Sequence, residues 1–218
     1  IPAMSSLCPP TPRPRVGPLL VALAPRATVR SVAAKAVLVT EQDESDALYI
    51  ILSGRVKAYG ASDDGREVVY STQGPGEYFG EMTLDGGPRS ASIMTLEPTR
   101  CAIVPGAELR QFLAAQPDFA LHLVLKLISL ARASTERVKS LALDDVYGRV
   151  TKLLKSLAHT EPGGLLVVSE RLTQQDIAER VGSSREMVSR VLKPLTVGGY
   201  IEQRDGRLVL LKKLPARW

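Results

Sequence analysis

The chain has 218 residues, 44% of them hydrophobic, and a formal net charge of +5, which suits one large or two small domains with real cores. Its two cysteines, Cys8 and Cys101, exclude a disulfide framework or a four-thiolate metal site and fit a reducing compartment. No stretch approaches ~18 uninterrupted apolar residues, so a membrane span is excluded and a cytoplasmic location is expected. The charge is unevenly spread: Val146 to Trp218 carries 13 Lys/Arg against 7 Asp/Glu, whereas Ile1 to Asp145 carries 15 against 16. A polyphosphate partner is therefore expected at the C-terminal third.

From the start, Ile1-Pro2-Ala3-Met4, Met4 is expected to be the natural initiator, with the three residues before it an addition. The run Cys8-Pro9-Pro10-Thr11-Pro12-Arg13-Pro14-Arg15 is too proline-rich to pack, and residues 1–15 read as a disordered tail. From Ser31 to Val104 short apolar runs alternate with turn residues. Ala36–Val39, Leu48–Leu52, Arg55–Ala58, Glu67–Ser71 and Ala91–Leu96 read as strands. Gly54, Asp64-Gly65, Gly74-Pro75-Gly76 and Gly86-Gly87 break them, with Asp64-Gly65 as a hairpin signal. The pattern predicts an all-β sandwich or roll over residues 16–116.

Within the roll, Gly80–Leu84 can form one helical turn whose free N–H groups suit a phosphate. Arg89 adds a planar fork for two phosphate oxygens, and Glu81 offers an acceptor to ribose hydroxyls. Ser90 supplies a hydroxyl and, with Ala91, backbone donors, while Gly80 and Gly86-Gly87 permit close backbone approach. A bare ion pair beside a glycine turn is the competing explanation of Glu81 and Arg89.

Pro117 to Leu143 has helical composition with no later Gly or Pro, long enough for about 40 Å. Leu121, Val124, Ile128, Ala131, Thr135, Val138 and Ala142 fall at alternating three- and four-residue steps, an a/d seam for self-association. Leu123, Leu127 and Leu130 are expected to pack on the roll instead. A hinge is expected at Leu143–Val146, followed by a separate domain over residues 144–218.

Thr173 can cap a helix over Gln174–Val181, with Asp176 at the capping-box position and Gly182 ending it. Ser184 then caps a second helix, and Ile177, Ala178, Val188 and Val191 are spaced to pack the two together. Arg185, Glu186 and Arg190 line the start of the second helix, the part that enters a major groove in helix-turn-helix proteins. Arg matches the acceptors of guanine, and Glu accepts from the cytosine amino group. Thr173, Gln175, Ser184, Arg204 and Arg207 suit phosphates. Pro194 is expected to end or kink the second helix early. A hairpin, Ile201–Gln203 with Leu208–Leu211 about Asp205-Gly206, follows as a wing.

The order Phe79-Gly80-Glu81, Leu84, Arg89-Ser90-Ala91 between strands resembles the phosphate-binding cassette of cyclic-nucleotide-binding domains. Together with Ser134-Thr135-Glu136-Arg137-Val138 and the Thr173–Lys193 segment, it makes residues 16–213 resemble the CRP/FNR family, closest to its cyclic-AMP receptor branch. The resemblance implies an α+β chain of N-terminal β-roll (a cyclic-nucleotide-binding jelly roll), long dimerisation helix and C-terminal winged helix-turn-helix. It implies that Ser134 faces its own subunit's nucleotide and Thr135 the neighbour's. It implies a homodimer on a two-fold operator with TGTGA-like half-sites read by Arg185, Glu186 and Arg190, acting with RNA polymerase. Two distant cysteines exclude the iron–sulfur branch, and no metal is expected. His122 and His159, the only histidines, lie outside the roll, against a haem variant.

Cyclic AMP is the expected effector, with cyclic GMP, cyclic di-GMP or no ligand as alternatives. Thr135 cannot decide, because a hydroxyl both donates and accepts. A nucleotide-processing enzyme is disfavoured by the absence of a phosphate loop, metal motif or nucleophile–His–carboxylate arrangement. A regulatory subunit that docks protein rather than DNA is the remaining alternative.

Overall fold

The structure is a computed structural model that describes residues 22–161 and 164–215. The proline-rich tail, Cys8 and the start at Met4 lie outside them. The described residues divide into two compact units, 22–57 with 72–127 and 58–71 with the remainder from 128.

The first unit is built on an antiparallel sheet in the order β1 (Thr28–Val32), β8 (Thr99–Pro105), β3 (Ala47–Ser53), β6 (Tyr78–Phe79). Strand β3 sits centrally, with Leu48 opposite Val104 and Ile50 opposite Ala102. These four are buried on one face because side chains two apart share a face. Leu23, Tyr78, Leu109, Phe112, Phe119 and Leu123 complete that core. The rings of Phe112 and Phe119 meet edge-on at 5.4 Å. Burying a side chain such as Phe119 stabilises by about 1.5–3 kcal/mol. A second pairing joins β2 (Val37–Val39) to β7 (Ser92–Thr95) through a bulge between Val37 and Val39.

All five expected strands are present, but β1, β6 and β8 add to them. So does helix α1 (Gly106–Ala115), which starts where the Gly106 N–H donates to the Asp46 carbonyl at 3.0 Å. Helix α2 spans Pro117–Leu143, the range expected from its composition. Its buried stripe is shorter than expected. Phe119 and Leu123 enter the core, whereas Leu127 and Leu130 are exposed because the core cluster ends at Leu123.

Strands β4 (Val56–Ala61) and β5 (Glu67–Gln73) are joined by a turn in which the Gly65 N–H donates to the Ser62 carbonyl at 2.8 Å. Further along, α3 (Val146–Leu157) is capped by Asp145, whose carboxylate accepts from the Gly148 N–H at 2.7 Å. Strands β9 (Ala158–Thr160) and β10 (Leu166–Val168) then join β11 (Ile201–Arg204) and β12 (Arg207–Leu210) in the order β11-β12-β10-β9. Between them lie α4 (Gln174–Val181) and α5 (Arg185–Val197).

Local chemistry explains the helix ends. The Thr173 hydroxyl accepts from the Asp176 N–H, and the Asp176 carboxylate accepts from the Thr173 N–H at 2.8 Å, closing a capping box. Gly182, at φ 62°, takes the left-handed conformation that ends α4. Thr173→Ala should cost about 1 kcal/mol, read as a lowered midpoint in chemical unfolding without a change in slope.

Pro194 does not end α5, which continues to Val197. Leu195 is fully buried just beyond the proline, and the Gly198 N–H donates to the Pro194 carbonyl at 2.8 Å. Packing therefore outweighs the single backbone donor that proline removes. Ile177, Ala178, Val188 and Leu192 lock α4 against α5, with Val191 partly buried beside them. The wing turns through Asp205 and Gly206, both at positive φ, as a two-residue hairpin requires.

Candidate nucleotide site and DNA-reading face

The expected helical turn is a 3-10 turn over Glu81–Asp85, entered through Gly80 at φ 91°. A β-carbon at Gly80 would lie 2.5 Å from the Ala47 carbonyl oxygen and 2.6 Å from Arg89 Nη1, so only glycine lets the turn approach the guanidinium.

Arg89 is 3% exposed. Its Nε–H donates to Ser45 Oγ at 2.8 Å, Nη2 to the Ala47 carbonyl at 2.9 Å and Nη1 to the Gly80 carbonyl at 3.3 Å. Its charge centre lies 5.8 Å from the Tyr49 ring, which itself stacks on Phe79 at 4.8 Å. Burial pulls the guanidinium pKa down, opposed by Tyr49 and the carboxylates of Asp46, Asp43 and Glu81. Three of its five N–H groups are held by described residues.

Glu81 is 6% exposed, and its buried Oε2 has the Lys126 ammonium at 3.2 Å without an aligned hydrogen bond. Thus the loop brings Gly80, Glu81 and Arg89 together below the surface. Ser90 is exposed with its hydroxyl 3.2 Å from the Met82 sulfur, and Ala91 is half-buried. Sequence reasoning missed Ser45, Ala47 and Tyr49, which hold Arg89, and Lys126, which sits 3.2 Å from Glu81. No periodicity or motif marks residues that meet only through the fold.

On α2, Ser134 and Thr135 are both exposed, and the Thr135 hydroxyl donates to the Ala131 carbonyl of its own helix at 3.1 Å. All seven seam residues are exposed, Leu121 at 60% and Val138 at 68%.

The other polar candidates gather on α4, α5 and the wing. Thr173, Gln174, Gln175 and Arg185 line one surface depression. Arg185, Glu186 and Arg190 are exposed on α5, and Ser184 caps it by accepting from the Met187 N–H at 3.2 Å. The Glu186 carboxyl pKa is lowered, first by its own backbone N–H and the Ser184 hydroxyl, then by Arg185 and Arg190. Arg204 is engaged by Glu202 through two bonds of 3.0 and 2.7 Å, and Arg207 lies 4.0 Å from Glu161. Arg149 donates to the Val181 carbonyl at 2.8 Å and the Asp144 carbonyl at 2.8 Å. It therefore ties the expected hinge to the end of α4. Among the described residues no cluster could hold a metal, and no single helix is long and apolar enough to cross a membrane.

Comparisons with known proteins find two matching domain families. Residues 29–116 match the cyclic nucleotide-binding domain, and residues 148–216 match the Crp-like helix-turn-helix domain. The chain is 37% identical over 175 residues to a CRP-like cAMP-activated global transcriptional regulator of Mycobacterium tuberculosis, covering 78% of each chain. It is 30% identical over 189 residues to the cAMP-activated global transcriptional regulator CRP of Pasteurella multocida, covering 84% of this chain and 89% of that one. Among solved structures, the c-di-GMP responsive global regulator CLP of Xanthomonas campestris aligns with a TM-score of 0.79 at 25% identity. That alignment covers 89% of this chain and 98% of that one. A cyclic-nucleotide-binding domain followed by a Crp-like helix-turn-helix, with relatives at this identity and coverage, places the chain in the CRP-like family of transcription regulators, which are not enzymes.

Proposed function

We propose that the chain is a cytoplasmic homodimer whose binding to a two-fold operator is switched by cyclic AMP. The observation that carries the ligand assignment is the buried pair of Arg89 and Glu81 around Gly80, a cationic fork beside a buried carboxylate. Arg89 takes the cyclic phosphate bidentately and Glu81 the ribose hydroxyl, with the Ser90 and Ala91 backbone closing on the phosphate. The names of the Mycobacterium tuberculosis and Pasteurella multocida relatives support cyclic AMP as the effector.

The exposed stripe on α2 supports self-association, since so long a row of apolar side chains calls for a cover. Pairing there sets Ser134 and Thr135 at the boundary, where both reach the base. On DNA, Thr173, Gln175, Ser184, Arg204 and Arg207 take phosphates, while Arg185, Glu186 and Arg190 read a TGTGA-like half-site. RNA polymerase is the expected partner at the promoter.

A second reading, cyclic di-GMP as effector, is favoured by the likeness to the Xanthomonas campestris regulator. Parallel calorimetric titrations with cyclic AMP, cyclic GMP and cyclic di-GMP separate the two. Cyclic AMP is expected to bind tightest at one site per chain. Tighter binding of cyclic di-GMP would replace this reading with the second.

A further inference from the structure

Beside the cassette, the first turns of α2 carry a group that the nucleotide reading leaves unused. Lys126 lies on the stripe that begins with Phe119 and Leu123 and is only partly exposed. Its ammonium donates to the Tyr78 carbonyl at 2.6 Å and sits 3.6 Å from the centre of the Tyr78 ring. It also stands 3.2 Å from Glu81 Oε2. That is an ion-pair distance, although the alignment leaves Oε2 without a hydrogen bond.

The surroundings make this pair consequential. Tyr78 Oη and His122 Nε2 are buried without hydrogen-bond partners among the described residues, so they do not compensate the carboxylate. His122 packs against the rings of Tyr78 and Phe119. Of the cations around Glu81, Arg89 acts on it only through space, its three hydrogen bonds going to Ser45, Ala47 and Gly80. Lys126 is the cation at contact distance. Burial lowers its pKa, and Glu81 and Glu77 oppose that shift. A buried carboxylate is costly without such a partner.

We propose that Lys126 is a positioning residue for sugar recognition: its ammonium neutralises and orients the Glu81 carboxylate, which then accepts from the ribose 2′-hydroxyl. The inference rests on the assignment of Glu81 to the ribose. The lysine is itself held by the Tyr78 carbonyl, and the other acceptor positions of Glu81 are assigned to the sugar. Discrimination between ribose and deoxyribose therefore depends on a residue of α2, outside the cassette.

The test compares binding of cyclic AMP and 2′-deoxy cyclic AMP to the full chain, using Lys126→Met, Lys126→Arg, Glu81→Gln and the Glu81→Gln/Lys126→Met double variant. The native chain should prefer the ribose form by roughly 10- to 100-fold, the worth of a hydrogen bond to a charged group. Lys126→Met should lose most of that preference while 2′-deoxy cyclic AMP still binds, and Lys126→Arg should retain it. In the Glu81→Gln background, adding Lys126→Met should not change the preference further. The double variant carries neither charge of the pair; if Lys126→Met fails to fold, Lys126→Gln, which keeps a donor without the charge, takes its place and should lose most of the preference. An unchanged preference in Lys126→Met, equal weakening of both nucleotides, or a further loss in the double variant would overturn the proposal. If the native chain itself does not distinguish the two sugars, the assignment of Glu81 fails first, and with it the foundation of this inference.

Discussion

Replacing Arg89 by leucine should weaken cyclic AMP binding by roughly 30-fold to several thousandfold, the equivalent of about 2–5 kcal/mol for a lost charge-assisted bidentate grip. The residue also has a structural task. Its bonds to Ser45, Ala47 and Gly80 tie β3 to the cassette, and leucine leaves those acceptors unpaired. A stability loss of about 1–3 kcal/mol should accompany the binding loss. Arg89→Lys separates the two effects because it keeps the charge but not the planar fork. It should bind cyclic AMP better than the leucine variant and worse than the native chain. Native affinity in a folded Arg89→Leu protein, measured by calorimetry, would remove Arg89 from the site.

The second large effect is expected on DNA. Arg185→Ala should cost about 1–3 kcal/mol on the preferred operator and relax preference at one base pair. Glu186→Ala should relax a neighbouring position, since its carboxylate is held at the start of α5 by Ser184 and flanked by Arg185 and Arg190. Arg204→Ala should instead weaken all sequences alike and reduce the salt slope by about 1. Selection from random DNA, repeated with each variant, reads these patterns. A two-fold motif with half-site centres about 34 Å apart is expected for the native chain. If the Glu186→Ala motif matches the native one at every position, Glu186 does not read a base.

The helices were the most legible part of the sequence because their ends carry their own chemistry. Pro117 opens α2; the Thr173–Asp176 box and Gly182 bracket α4; Ser184 opens α5. Pro194 misled because propensity ignores burial, and Leu195 fixes the last turn from the other side. Strand β1 escaped notice because it is a largely exposed edge strand, Thr28–Val32, with little alternation. Helix α1 escaped because Gly106 is a poor helix starter by composition, and the Asp46 carbonyl that receives its N–H is distant in sequence. The cassette was legible in Gly80, Glu81 and Arg89, whose spacing follows one short loop. Its supports were not. Ser45, Ala47, Tyr49 and Lys126 reach the site from β3, the loop before it and α2, and only the fold brings them there.

Nucleotide binding and operator binding are expected to form one linked equilibrium. A ligand shifts that equilibrium only by its differential affinity for two states, and the coupling is reciprocal. The most direct measurement is a closed cycle: operator affinity with and without saturating cyclic AMP, and cyclic AMP affinity with and without saturating operator, at one salt concentration. Each ligand should strengthen the other by the same factor, roughly 5- to 150-fold. Tight binding of cyclic AMP with an operator affinity identical in its presence and absence would contradict it.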